Sequence, residues 1–286
     1  MSDKKALELL HSADKMAQSR GWFSGPKYDE AADLYEQAAN QFRLARQMRE
    51  AGEAMLKAAQ MSLKLGESND AAQHLVSASK CFKKGHPKQA VDALTQAVGL
   101  LTERGAFRMA AAHQKDIAKL CELDLSDPEQ AMQAYQLAAE WYAGEDATAL
   151  ANGCLLQVAS LAAQLEDYAR ATQIFESIAE GGVDDQLTKW SVKDYFLKAA
   201  LCRLAIPDDV GAAQALERYK DLDPAFASTR ECRFVEGLVA DIRKSDMQAF
   251  TDHVASYDQI SQLDNWKTTL LLRIKRQILE AGEDLT

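Results

Sequence analysis

Tyr28-Asp-Glu-Ala-Ala-Asp-Leu-Tyr-Glu-Gln-Ala-Ala39, Asp70-Ala-Ala-Gln-His-Leu-Val-Ser-Ala78, Pro128-Glu-Gln-Ala-Met-Gln-Ala-Tyr-Gln-Leu-Ala-Ala139 and Tyr168-Ala-Arg-Ala-Thr-Gln-Ile-Phe-Glu-Ser-Ile-Ala179 are four versions of one pattern. Each places a large apolar residue four positions after an alanine and a small or aliphatic residue three positions later. The leading alanines, Ala31, Ala71, Ala131 and Ala171, fall 40, 60 and 40 residues apart, and Ala90 stands 41 before Ala131. One helix per roughly 20 residues and one helical hairpin per roughly 40 is the implied unit. Small residues let neighbouring helices approach, and the larger residue fills the groove between them. A single hairpin cannot bury its own apolar stripe, so several must stack into a solenoid.

Composition agrees with that reading. Among 286 residues there are 49 alanines against 14 glycines and 5 prolines, so helix formers abound and turn residues are scarce. The expected fold is all-α: a right-handed superhelical solenoid of TPR-like helical hairpins with a period of about 40 residues, followed by a C-terminal helical bundle. Breakers and caps divide the chain into an N-terminal helix (1–20), a loop (21–27), the solenoid (28–180) and the bundle with an acidic tail (185–286). Gly66-Glu-Ser-Asn-Asp70 and Gly85-His-Pro87 read as turns, and Ser126-Asp127-Pro128 as a cap before a proline at the first helical position. Beyond Gly181-Gly182 the sequence register weakens, although Trp190–Ala205, Gly211–Tyr219, Ser228–Lys244 and Trp266–Leu279 still read as amphipathic helices.

Charge and motifs narrow the function. A net charge of −10 argues against a nucleic-acid partner. Five cysteines without a C-x-x-C pair, each in an apolar context, read as buried free thiols, and the chain opens without a signal-type apolar segment, so a cytoplasmic protein is expected. No phosphate loop, dinucleotide fingerprint, zinc-protease helix or serine elbow is present, and the histidines at 11, 74, 86, 113 and 253 do not pair at metal-ligand spacing. The expectation is a binding scaffold without a cofactor, not an enzyme.

Several strings carry a resemblance. Trp190-Ser-Val-Lys-Asp-Tyr-Phe-Leu-Lys-Ala-Ala-Leu-Cys202, Asp223-Pro-Ala-Phe-Ala-Ser-Thr-Arg-Glu-Cys232, Tyr257-Asp-Gln-Ile-Ser-Gln-Leu-Asp264, Trp266-Lys-Thr-Thr-Leu-Leu-Leu-Arg-Ile-Lys275 and Glu283-Asp-Leu-Thr286 together resemble the soluble NSF attachment proteins of the alpha type. The resemblance implies an adaptor that wraps a SNARE four-helix bundle, recruits the hexameric AAA+ ATPase NSF and stimulates SNARE disassembly, with weak peripheral attachment to a membrane surface. A TPR-like scaffold that clamps peptides for a chaperone is the alternative, disfavoured by a period of 40 rather than 34 residues. A helical lyase or cyclase would need clustered acidic metal ligands, which the sequence lacks.

Three regions bear on that role. Trp22 and Phe23 sit on a glycine-flanked loop where the family inserts into the bilayer; packing against the first hairpin is the other reading. Arg108, Lys115 and Lys119 fall at i, i+7 and i+11 on one helix face, Lys57 and Lys64 repeat the seven-residue spacing two helices earlier, and Arg104 precedes the first stripe. By resemblance these cations contact the acidic SNARE bundle; solvated helix faces are the plain alternative. Ala106, Ala112, Gly153 and Gln157 stand where the family commonly places Arg or Lys. At the C-terminus Asp264 reads as a cap, Trp266, Leu270, Leu271, Ile274 and Ile278 as an apolar stripe, and Lys267, Arg273, Lys275 and Arg276 as a solvated face. Glu283, Asp284 and Leu285 are, by resemblance, the ATPase contact.

Overall fold

The computed structural model describes residues 2–18 and 27–283, with side chains at 4–18 and 27–280. All regular structure among them is helical. In chain order the α-helices are α1 (Ser2–Gln18), α2 (Tyr28–Leu44), α3 (Met48–Leu65), α4 (Ser68–Phe82), α5 (Pro87–Glu103), α6 (Phe107–Leu123), α7 (Pro128–Gly144), α8 (Thr148–Gln164), α9 (Tyr168–Gly182), α10 (Lys189–Leu204), α11 (Asp209–Leu222), α12 (Arg230–Arg243), α13 (Met247–Ile260) and α14 (Asn265–Glu283). Hairpins open at Tyr28, Ser68, Phe107, Thr148, Lys189 and Arg230, so the spacing of 39 to 41 residues persists beyond the point where the sequence pattern fades. The chain divides into two compact units, residues 1–154 and 155–286, and the division falls inside α8.

Short-range chemistry sets the helix ends. The side chains of Asp127, Asp167, Asp208, Thr229 and Asp246 each accept a hydrogen bond from the backbone N–H three residues on, capping α7, α9, α11, α12 and α13. Gly66, Gly85 and Gly105 take the left-handed backbone that reverses the chain after α3, α4 and α5. Arg46, Ser126, Asp146, Glu166 and Ser245 hold the same conformation with a side chain attached.

In the first unit the repeat positions are the core. Ala31, Tyr35 and Ala38 of α2, Ala71, Leu75 and Ala78 of α4 and Ala131, Tyr135 and Ala138 of α7 are all buried. Gly52 of α3 lets the fully buried Phe82 ring of α4 come so close that a Cβ there would lie 2.5 Å from it. The second unit is built differently. Phe196 of α10 stacks on Tyr219 of α11 with centroids 4.7 Å apart, and Glu176 of α9 lies buried beneath them in a charged network. Helix α13, which the sequence pattern did not disclose, buries Phe250 fully and sets Val254 and Tyr257, half-buried, on the same face, with Tyr257 stacked on Phe234 of α12 at 4.2 Å.

Candidate functional site

Helix α6 presents the basic stripe. Its apolar face, Ala110, Ala111, Ile117, Ala118, Leu120 and Cys121, is buried. Arg108 and Lys119 stand exposed and Lys115 half-buried on the remaining surface, with Arg104 exposed at the C-cap of α5 one turn before. Among the described residues none of these four cations has an ion-pair partner. Their charge is nonetheless felt nearby: burial pushes the Cys154 thiol up while Lys115 and Lys119 draw it back. Asp116 lies inside the stripe, an acid that the spacing of the cations does not disclose. His113, whose Nδ1 lies 3.8 Å away, outweighs burial and with the charge of Lys119 holds its carboxyl below the usual range. Ala112 is exposed between Arg108 and Lys115, and a Cβ on Gly153 would meet nothing within 4 Å, so both positions have room for a longer side chain.

The α3 lysines are held differently. Lys57 Nζ bonds Asp14 Oδ1 of α1 at 2.8 Å and lies 5.4 Å from the centroid of the Tyr35 ring of α2. The Tyr35 hydroxyl donates to the same Asp14 oxygen at 2.7 Å. Burial raises the Asp14 carboxyl, but the bonds from Lys57 and Tyr35 outweigh it and keep the group below its ordinary value. Lys64 lies 4.8 Å over the Tyr28 ring. The α6 cations are therefore free at the surface, whereas the α3 cations are fixed over tyrosines by attraction to their ring faces. Asp14, 43 residues from Lys57, carries no signal in the sequence that would have paired the two.

In the second unit the polar groups are consumed internally. Glu176 accepts from Arg203 Nε at 2.8 Å, pairs with Arg218 at 2.7 Å and accepts a short bond from the Tyr219 hydroxyl. Burial opposes its ionisation, yet the bonds from Arg203, Tyr219 and Arg218 hold it below the ordinary 4.5. Helix α14 starts, as expected, from an Asp264 cap at 2.8 Å, and Leu270, Leu271, Ile274 and Ile278 are buried. Two of its four cations expected to face water, Lys267 and Arg273, do not, whereas Arg276 is exposed. Lys267 is largely covered and pairs with Asp194 at 2.9 Å and Asp264 at 3.2 Å. Arg273 reaches the Tyr168 hydroxyl at 3.1 Å and Glu166 at 3.4 Å. Trp266 donates from Nε1 to the Ser160 carbonyl at 3.2 Å and packs edgewise on Phe175. These contacts fix α14 along its length up to the acidic end.

Trp22, Phe23, Asp284 and Leu285 lie outside the described residues, as does the side chain of Glu283. All five cysteines are free and buried, and burial pushes the Cys202 thiol up to about 12, which leaves it protonated and inert. Among the described residues no helix is long and apolar enough to cross a membrane.

Comparison with known proteins agrees with the expected resemblance. The family described as "Soluble NSF attachment protein, SNAP" matches residues 4–279. A Schizosaccharomyces pombe protein named "Probable vesicular-fusion protein sec17 homolog" is 44% identical over 283 residues, covering 98% of each chain. The alpha-soluble NSF attachment protein of Mus musculus is 41% identical, covering 98% of this chain and 97% of its own. That of Saccharomyces cerevisiae is 39% identical over the whole of both. Among solved structures, BtubC (BKLC) from P. vanneervenii overlaps at a TM-score of 0.43 and 15% identity, covering 80% of this chain and 92% of that one, which is too slight to argue from. A family match spanning nearly every helix, together with the hairpin array described above, leads to one conclusion: this chain belongs to the soluble NSF attachment protein family, a family of adaptors rather than enzymes.

Proposed function

We propose that this chain binds the assembled SNARE bundle through the basic surface of its first unit and recruits and stimulates the ATPase NSF with its C-terminal end, so that ATP hydrolysis takes the bundle apart after vesicle fusion. The observation that carries the reading is the set of unpaired cations on one face, Arg108, Lys115 and Lys119 with Arg104, in a chain of net charge −10 whose relatives are named for NSF attachment and vesicular fusion. Free cations on a rigid helix complement an acidic coiled partner, steering it into register through contacts that weaken as salt rises. Lys64 adds a charge whose position is fixed in advance by Tyr28, and Lys57, held over Tyr35, one that Asp14 already pairs. Glu283, Asp284 and Leu285 form the contact to the ATPase. Trp22 and Phe23 hold the chain to the membrane surface, so that its place is cytoplasmic and peripheral.

The test is ATP-dependent disassembly of a purified SNARE complex by NSF. The chain is expected to be required. Arg108→Glu with Lys115→Glu weakens SNARE binding roughly tenfold or more at low salt. Leu285→Ala keeps SNARE binding and loses ATPase stimulation. Unchanged disassembly in the absence of the chain refutes the role; unchanged affinity of the double variant refutes the basic surface.

A further inference from the structure

A second basic region adjoins the surface just assigned, where the charge of Lys83 also reaches Asp116 of α6. Residues 37–49 contain Arg43, Arg46 and Arg49, residues 80–91 contain Lys80, Lys83, Lys84 and Lys88, and neither segment holds a single carboxylate. These segments form the end of α2 with its turn into α3, and the end of α4 with its turn into α5. The fold puts them side by side. The Phe82 ring, one residue before Lys83, fills the space left by Gly52 near the start of α3. Arg43 is close enough for its charge to draw back the buried Cys81 thiol. Arg49 is neutralised by Glu53 at 3.0 Å, and Arg43 touches only the neutral Asn40. Arg46, Lys80, Lys83, Lys84 and Lys88 are exposed and have no ion-pair partner among the described residues.

Apolar side chains stand among these cations. Leu44 is 74% exposed and Met48 40%, both at the α2–α3 turn and both flanked in sequence by arginines. Left in water such a turn gains nothing from its leucine, and the cations repel one another. A rigid protein partner would need a concavity matched to this outward turn. A fluid anionic surface needs none: headgroups collect around the cations while the leucine and methionine enter the boundary between headgroup and acyl chain.

We propose that the paired turns at Leu44–Met48 and Lys80–Lys88 form a contact site for anionic phospholipid surfaces, separate from Trp22 and Phe23. Leu44 is a full helix away from Lys27, about 25 Å at 1.5 Å per residue, so the two contacts are separable by mutation. The site goes beyond the attachment role and does not depend on it, because vesicle flotation reads it without SNARE or ATPase.

The experiment is vesicle flotation of the full chain carrying Trp22→Ala and Phe23→Ala, which removes the loop's contribution. Vesicles of phosphatidylcholine alone are compared with vesicles holding about 30% phosphatidylserine, a content near that of a charged cytoplasmic leaflet. Recovery on the anionic vesicles is expected to exceed that on neutral ones by roughly tenfold and to fall away at high salt. Lys83→Gln, Lys84→Gln and Lys88→Gln together should remove most of the gain, and Leu44→Ser should lower what remains. Equal recovery on both vesicle types overturns the proposal, as does a triple variant that floats as well as its parent. If the triple variant instead loses affinity for a SNARE bundle in solution while floating normally, the region reads an acidic protein and the lipid assignment is wrong. A salt titration of the parent chain tests the same point without any lysine substitution: recovery on anionic vesicles that stays constant as salt rises overturns the proposal.

Discussion

The two units use their charges in opposite ways. In residues 155–286 cations are joined to carboxylates on other helices: Arg203 and Arg218 to Glu176, Lys193 to Glu231, Lys220 to Glu236, Arg243 to Asp209 and Lys267 to Asp194. In the described part of residues 1–154 the single ion pair between helices is Lys57 with Asp14, and the stacking rests on alanine, glycine and large apolar side chains. Helices that pack through small residues need no electrostatic ties, so their surface cations stay available to a partner. Helices α9 to α12 and α14 are tied to one another by such pairs, and the cations that make them are occupied.

The contrast can be broken most directly at Glu176. Glu176→Ala leaves Arg203, Arg218 and Tyr219 without their common acceptor; because Arg218 is half exposed, the expected loss is about 3 kcal/mol, at the low end for a broken buried pair, measured by urea unfolding. The matching test in the first unit is steric. Gly52→Ala drives a methyl group into the buried Phe82 ring and should cost about 2 kcal/mol at any pH, since no titrating group is involved.

The pH dependence separates the two further. The folded-state carboxyl of Glu176 is held below its ordinary 4.5, so its stabilisation is present above that value and is lost as pH falls through the lower folded one. Glu176→Gln should therefore flatten the acid limb of stability for the second unit, whereas the acid limb of Gly52→Ala should run parallel to that of the parent. An acid limb unaltered by Glu176→Gln would remove the proposed distinction. The smallest effect is expected at Gly153, inside α8 with open space beyond its Cα. Gly153→Ala should stabilise by about 0.5–1 kcal/mol in thermal melting, without altering salt dependence.

Much of the fold could be read from the chain because its determinants are local. The spacing of Ala31, Ala71, Ala131 and Ala171 disclosed the hairpin, and Asp127 before Pro128 and Asp264 before α14 disclosed helix starts; all act within a few residues. Helix α13 was missed because its apolar face is short: Phe250, Val254 and Tyr257 span only two turns, between polar residues. Lys267 and Arg273 were misread as solvated for a related reason. Helical periodicity tells which side of α14 is apolar, yet Asp194 and Tyr168, which claim those cations, stand 73 and 105 residues earlier. The basic stripe on α6 was visible as a spacing, but its freedom from partners was not.

The sequence alone determined that the chain is a succession of helical hairpins with buried thiols, because helix propensity, capping and apolar period are written over a few residues at a time. Tertiary structure alone decided which charges are free and which are occupied. A salt bridge forms at separations of a few ångströms, and the groups that close one between helices here lie from under twenty to more than a hundred residues apart along the chain.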